Sequence, residues 1–155
     1  MKYRQLTTEQ FKSLHEEFAQ FLATQGIDAN EWKKIKEEKA ALAENELNVF
    51  SDIVWNNVLN KTEYLEHFSK NTINLFNCKA EKISRIVIKV EKEVDLLTQN
   101  GYTWLLENYN SKEVDIFEGS KKYTSERNVE IFDLIEKGSA ISKGELYSFF
   151  KKIIS

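Results

Sequence analysis

The hydrophobic period of this chain changes twice, and that constrains its fold more than any other feature. From about residue 8 to 60, apolar side chains recur every three to four positions. From Tyr64 to Val90 they alternate, and from Tyr102 onward the helical spacing returns. Helices, then strands, then helices indicate an α+β fold: N-terminal helices, a central antiparallel sheet of three to four strands, and C-terminal helices. The 155 residues fit a single domain, 1–155, and no internal repeat, low-complexity tract or linker divides them. Proline is absent, so one helix breaker is missing throughout.

Three helix starts carry the same double signature. Thr7 with Gln10, Asp28 with Glu31, and Ser142 with Glu145 each match a capping box. Leu6 and Phe11, Ile27 and Trp32, and Ile141 and Leu146 occupy the corresponding hydrophobic-staple positions. The first box opens a helix over about 8–25, with Phe11, Leu14, Phe18, Phe21 and Leu22 on one face and Gly26 as its stop. A second helix from about 29 carries Trp32 and Ile35 and breaks near 38–40. A long helix then runs to about 60, with Leu47, Phe50, Val54 and Val58 as its main apolar stripe. Tyr64–Phe68, Ile73–Cys78 and Ile83–Val90 read as strands of a meander, and the short links between them favour antiparallel pairing. Val94–Leu97 is a candidate extension of the sheet, and Val114, Ile116 and Phe117 a candidate short strand. Helices follow at about 102–109, 126–137 (stopping at Gly138) and 143–153.

Composition excludes several classes. A net charge of −3 with 22 basic and 25 acidic residues gives no broad attraction for DNA or an anionic membrane. No stretch approaches the roughly 20 apolar residues of a membrane span, and the opening residues lack a signal peptide's apolar run. The single cysteine, Cys78, excludes an internal disulfide and favours a reducing compartment. Two histidines and one cysteine fall short of a closed zinc site of Cys and His, and His15, His67 and Cys78 lack ligand spacing. No nucleophile elbow or Cys/His signature indicates covalent catalysis, so no catalytic residue, metal or cofactor is expected.

Two groups of residues are candidates for binding. The stretch Gly119–Asn128 reads as a glycine-containing loop leading into a helix start near Ser125. A helix N-terminus offers free N–H groups and a positive dipole end. Ser120, Lys121, Lys122, Ser125 and Arg127 are therefore expected to surround a small anion, though the spacing is not that of a P-loop. The ordinary alternative is an exposed turn with Ser125 as a cap. Asn48, Asp52 and Asn56 form a polar stripe at helical spacing, either the wall of a polar groove or a solvated helix face. Glu66 and His67 are adjacent on a strand and point to opposite faces, which rules out a shared acid–base role. His15 is expected to be partly buried, and Cys78 to be a small core residue.

The strings MKYRQLTTEQF, GIDANEW, FSDIVW, KTEYLEHFS, WLLENY, GSKKYTSERN and ISKGELY occur in this order. In order and spacing the chain resembles, over nearly its whole length, a family of short bacterial proteins described only as a domain of unknown function. The resemblance implies a self-contained bacterial cytoplasmic protein and no activity. The residues themselves favour a non-enzymatic module that binds another protein or itself, with Phe149, Phe150, Ile153 and Ile154 as a contact or core face. The alternative is an anion- or nucleotide-binding protein, with or without catalytic activity, using residues 119–128.

Overall fold

The computed structural model describes residues 1–155, which fall into two compact units, 1–60 and 61–155. The first is helical: α1 (Thr8–Ser13), α2 (His15–Ala23), α3 (Ala29–Glu38) and α4 (Ala40–Lys61). Thr7 forms both arms of its capping box, accepting the Gln10 N–H at 3.2 Å while the Gln10 side chain accepts the Thr7 N–H at 2.9 Å. Asp28 caps α3 by accepting the Glu31 N–H at 2.8 Å. The expected helix over 8–25 is interrupted at Leu14, whose backbone (φ −110°, ψ 23°) leaves the helical region. Ser13 Oγ donates back to the Glu9 and Gln10 carbonyls, a side-chain bond that competes with helix continuation. α2 then closes at Gly26 with paired bonds from Gly26 N to Ala23 O and from Ile27 N to Leu22 O. The break expected near 38–40 falls at Lys39, between α3 and α4.

Aromatic rings organise the interior of this unit. Phe18 lies 5.0 Å from Phe50 and 5.3 Å from Trp32, centroid to centroid, and Phe21 lies 5.4 Å from Phe50. Such offset and edge contacts add roughly 0.5–1.5 kcal/mol each to the burial of the rings. Phe50 is the buried hub; the others are partly exposed.

The second unit is built on a five-stranded antiparallel sheet, ordered β4-β3-β2-β1-β5. The strands are β1 (Tyr64–Phe68), β2 (Thr72–Cys78), β3 (Lys82–Val90), β4 (Val114–Lys122) and β5 (Ala140–Ser142). Five strands replace the expected three to four, for two reasons. The short strand expected at 114–117 runs on to Lys122, paired residue for residue with β3. Residues 140–142, expected to lead into a helix, pair with Glu66, Leu65 and Tyr64. Val94–Leu97, in contrast, adds no strand: the segment turns, and Leu96 buries its side chain while its N–H donates to Lys70 O.

Three helices complete the unit: α5 (Gln99–Asn108), α6 (Arg127–Glu136) and α7 (Glu145–Ile154). The Asn100-Gly101 pair, a hairpin signal by sequence, instead lies in the first turn of α5, where Thr98 caps by accepting the Gly101 N–H at 3.0 Å. The third capping box does not form. Ser142 belongs to β5, and α7 starts only after Gly144, whose φ of +81° disfavours any side chain and where an added Cβ would collide with the Tyr64 ring. One face of the sheet supplies Ile73, Leu75, Ile86, Ile88, Val90 and Val114 to a core shared with Leu105 of α5 and with Tyr147 and Phe150 of α7. Phe150 is fully buried while Phe149 is 39% exposed, so only the former anchors α7. No helix is long and apolar enough to cross a membrane.

Candidate binding sites

Strand alternation places Phe76, Ile83, Arg85, Val87, Phe117, Gly119 and Lys121 on the sheet face opposite that core. They meet Glu130, Asp133, Leu134 and Lys137, which share one face of α6 at helical spacing. Between them lies an open cleft of about 510 Å³. Its floor is apolar, from Phe76, Ile83, Val87 and Phe117, the last 54% exposed at the rim. Its rim carries both signs of charge. Lys121 Nζ stands 3.6 Å from Glu130 Oε1. Arg85 donates through Nε and Nη2 to Asn74 Oδ1 and lies 5.8 Å from the Phe76 ring centroid, so its fork is fixed beside the floor.

A second depression, about 470 Å³, lies on the core-facing side where apolar residues give way to polar ones. Ser84 Oγ and Ser120 Oγ are 2.9 Å apart, with Asn77, Tyr147 and Ser148 around them. Lys79, Lys82, Lys151 and Lys152 line its edge, and Lys151 is hydrogen-bonded to Glu118. A third, about 530 Å³, contains Glu66 and Tyr102 beside Phe68, Leu146 and Phe149. Burial raises the Glu66 carboxyl above its ordinary value; burial, and then the Glu66 charge, raises the Tyr102 phenol.

The five residues expected to hold an anion do not converge. The expected loop at 119–122 is strand, so Ser120 and Lys122 share one sheet face and Lys121 the other. Ser125 is not the cap of α6. Glu126 occupies that position but its side chain does not cap the helix, and the Ser125 N–H points to Glu130 Oε2 at 3.4 Å. Arg127 donates to the carbonyls of Thr62, Cys78 and Lys79 and to Asn128 Oδ1. Its guanidinium thus ties the end of β2 to the segment before β1. Tyr123 donates to the same Lys79 carbonyl at 2.8 Å, and its phenol is pushed up to about 12, chiefly by burial.

Asn48, Asp52 and Asn56 do form one row, and it faces the N-terminal segment. Asp52 accepts the N–H groups of Lys2 and Tyr3, Asn56 accepts the Tyr3 hydroxyl, and Asn48 accepts from Gln5 Nε2 at 2.9 Å. Ser51, one position away, accepts the Leu6 N–H at 3.0 Å. Glu66 and His67 lie on opposite faces of β1, paired with Leu75 and Asn74. His15 is exposed, not partly buried as expected, with Nδ1 3.1 Å from Lys12 O. Cys78 is buried, and burial pushes its thiol up to about 11. No three His, Cys, Asp or Glu side chains group closely enough to hold a metal ion.

The cleft residues escaped sequence reading because Glu118–Lys122 shows no apolar alternation of its own. The available signal was the β3 pattern Ile83-Arg85-Val87, whose side chains oppose the buried set. One family model matches the chain, that of a family of unknown function, over residues 1–155. No curated protein and no solved structure matches it.

Proposed function

The chain belongs to DUF6495, a family of unknown function, so membership brings no activity with it, and we propose from the geometry a non-enzymatic protein-binding module of the bacterial cytoplasm. The observation that carries this reading is the cleft between β4 and α6, with its apolar floor, exposed Phe117 and mixed-charge rim. Apolar centres with charged borders are the arrangement by which proteins hold a partner's side chains and reject wrong ones. The occupant is a segment presenting apolar side chains flanked by charges of both signs. The resemblance to short bacterial proteins and the lone buried thiol support the location.

Photo-crosslinking from position 87 tests it. With a photoreactive residue replacing Val87, covalent adducts heavier than the chain are expected in cells, and Leu134→Asp should abolish them. No adduct, or a yield indifferent to Leu134→Asp, removes the cleft as the contact.

A second reading, a small anionic ligand, is favoured by the Ser84–Ser120 pair and its four bordering lysines. It retains Ser120 of the residues expected by sequence and exchanges the others for Lys79, Lys82, Lys151 and Lys152. Thermal shift with phosphate, nucleotides and phosphorylated metabolites tests it. Stabilisation of about 2.7 kcal/mol is expected at a hundredfold excess over the dissociation constant, and Lys82→Ala should weaken it.

A further inference from the structure

We infer that β4 is the pairing edge for a second copy of this chain, joined antiparallel about a twofold axis through Glu118. β4 is nine residues long, lies at the end of the sheet, and is exposed from Phe117 to Lys122. Long exposed edges are normally shortened, covered or bulged, yet the β3–β4 register runs without a bulge from Lys82–Lys122 to Val90–Val114.

The backbone has the phase such pairing needs. The Glu91 N–H donates to Glu113 O, one step beyond that register. Since bonded and non-bonded pairs alternate in an antiparallel ladder, residues 115, 117, 119 and 121 turn their backbone groups toward β3. Residues 116, 118, 120 and 122 turn theirs outward, as does Val114, whose N–H meets Ser111 O in the preceding turn. An axis through Glu118 sets outward residue against outward residue: Ile116 opposite Ser120 of the second copy, and Glu118 opposite its counterpart.

The side chains on the cleft face are then self-complementary. Asp115 faces Lys121 of the second copy, and Lys121 faces Asp115, giving two ion pairs. Phe117 faces Gly119 of the second copy, and Gly119 faces Phe117. A Cβ on Gly119 would meet nothing within 4 Å, so the space above it is open to an aromatic ring. Sliding two residues one way sets Phe117 against Lys121 and loses both ion pairs. Sliding the other way sets the two Phe117 rings opposite each other and Asp115 against glycine. The matched register has one like-charge contact, Glu118 with Glu118, on the other face. Each of those carboxylates is already bonded to its own Lys151.

Unlike the cleft's occupant, this contact needs only purified chain, so it is tested separately. Sedimentation across concentration should give a monomer–dimer equilibrium. Asp115→Lys alone and Lys121→Asp alone should each weaken dimerisation about tenfold, since each turns two attractive cross-strand pairs repulsive. The double variant should recover, and mixing the two single variants should give a heterodimer, because one then carries two lysines and the other two aspartates. Glu118→Cys should form a disulfide-linked dimer on oxidation, since opposed residues of a bonded pair stand about 5.5 Å apart and the chain's own thiol is buried. A monomer at all concentrations overturns the inference. A dimer indifferent to both charge reversals, with no Glu118→Cys crosslink, overturns β4 as its seat.

Discussion

Asp52 holds Tyr3 by its main chain: one carboxylate oxygen accepts the Tyr3 N–H at 3.0 Å and the other accepts the Lys2 N–H at 2.7 Å. The row of polar residues on α4 is therefore a rail for the chain's first residues, with Ser51 and Asn56 as further stations. Removing the carboxylate strands two donors, one on a residue only 9% exposed. Asp52→Ala is expected to cost about 2 kcal/mol. In hydrogen exchange, the Tyr3 and Leu6 amides should lose protection well before those of α4.

Gly101 gives a test in which two effects have opposite signs. It sits in the first turn of α5, where helix propensity alone predicts that alanine gains about 1 kcal/mol. A Cβ there, however, would stand 1.8 Å from the Asp95 carbonyl oxygen, which belongs to the backbone and has no rotamer to yield. Gly101→Ala should lower stability by about 3 kcal/mol. A denaturant midpoint that rises instead would mean α5 shifts freely against the 92–98 turn.

The two neighbouring phenylalanines of α7 should separate cleanly. Phe150 is fully buried against the sheet, so Phe150→Ala should cost about 3–5 kcal/mol. Phe149 is 39% exposed and contributes edge contacts to Tyr109 at 5.6 Å and Phe150 at 5.2 Å. Its replacement by alanine should cost about 1 kcal/mol. Equal losses in urea melts would place both rings in the same environment, against the observed burial.

Glu66 links stability to pH in the less common direction. Burial raises its folded-state value above the ordinary 4.5, so the folded protein binds this proton more tightly than the unfolded chain does. Its contribution is most favourable below 4.5 and declines as pH rises through the raised value. Glu66→Gln should therefore raise the melting temperature at pH 7 and leave it nearly unchanged at pH 4. A gain at pH 4 that vanishes at pH 7 would reverse the assignment.

Cys78 should be chemically silent while the protein is folded. With its thiol pushed up to about 11, roughly one molecule in a thousand carries thiolate at pH 8. A thiol reagent such as dithionitrobenzoate should react only at the rate of unfolding, and stoichiometrically in denaturant. Rapid labelling of the native protein would contradict the burial.

The parts of the fold legible in the sequence were those whose signals are local. The Thr7 and Asp28 caps, the stop at Gly26, the break at Lys39 and the alternation of β3 are each set within a few residues. β4 is different. Beyond Phe117 it reads Glu-Gly-Ser-Lys-Lys, which has neither strand propensity nor an apolar face. It is a strand because β3 offers it a continuous ladder, a tertiary cause invisible in the local string. Ser142 shows the same competition: it matches a capping signature, but the free edge of β1 takes residues 140–142 into the sheet first. The expected anion site shared this weakness. It took Lys121, Lys122 and Arg127 as one cluster, whereas alternation separates the lysines and Arg127 spends its donors on carbonyls 48–65 positions earlier. The polar row on α4 was visible as a pattern, but its partner, the segment around Tyr3, was not.

The alternation of β4 also governs how any scan of residues 114–122 must be read. Neighbouring substitutions turn their side chains to opposite faces of the sheet: those at 117, 119 and 121 face the cleft beside α6, while those at 114 and 116 face the core and those at 118 and 120 the depression beside α7. Averaging over adjacent positions would blend two unrelated signals into one flat profile. Sorted by parity, the same data become two independent maps, and a ligand or partner engaging one side should disturb only its own.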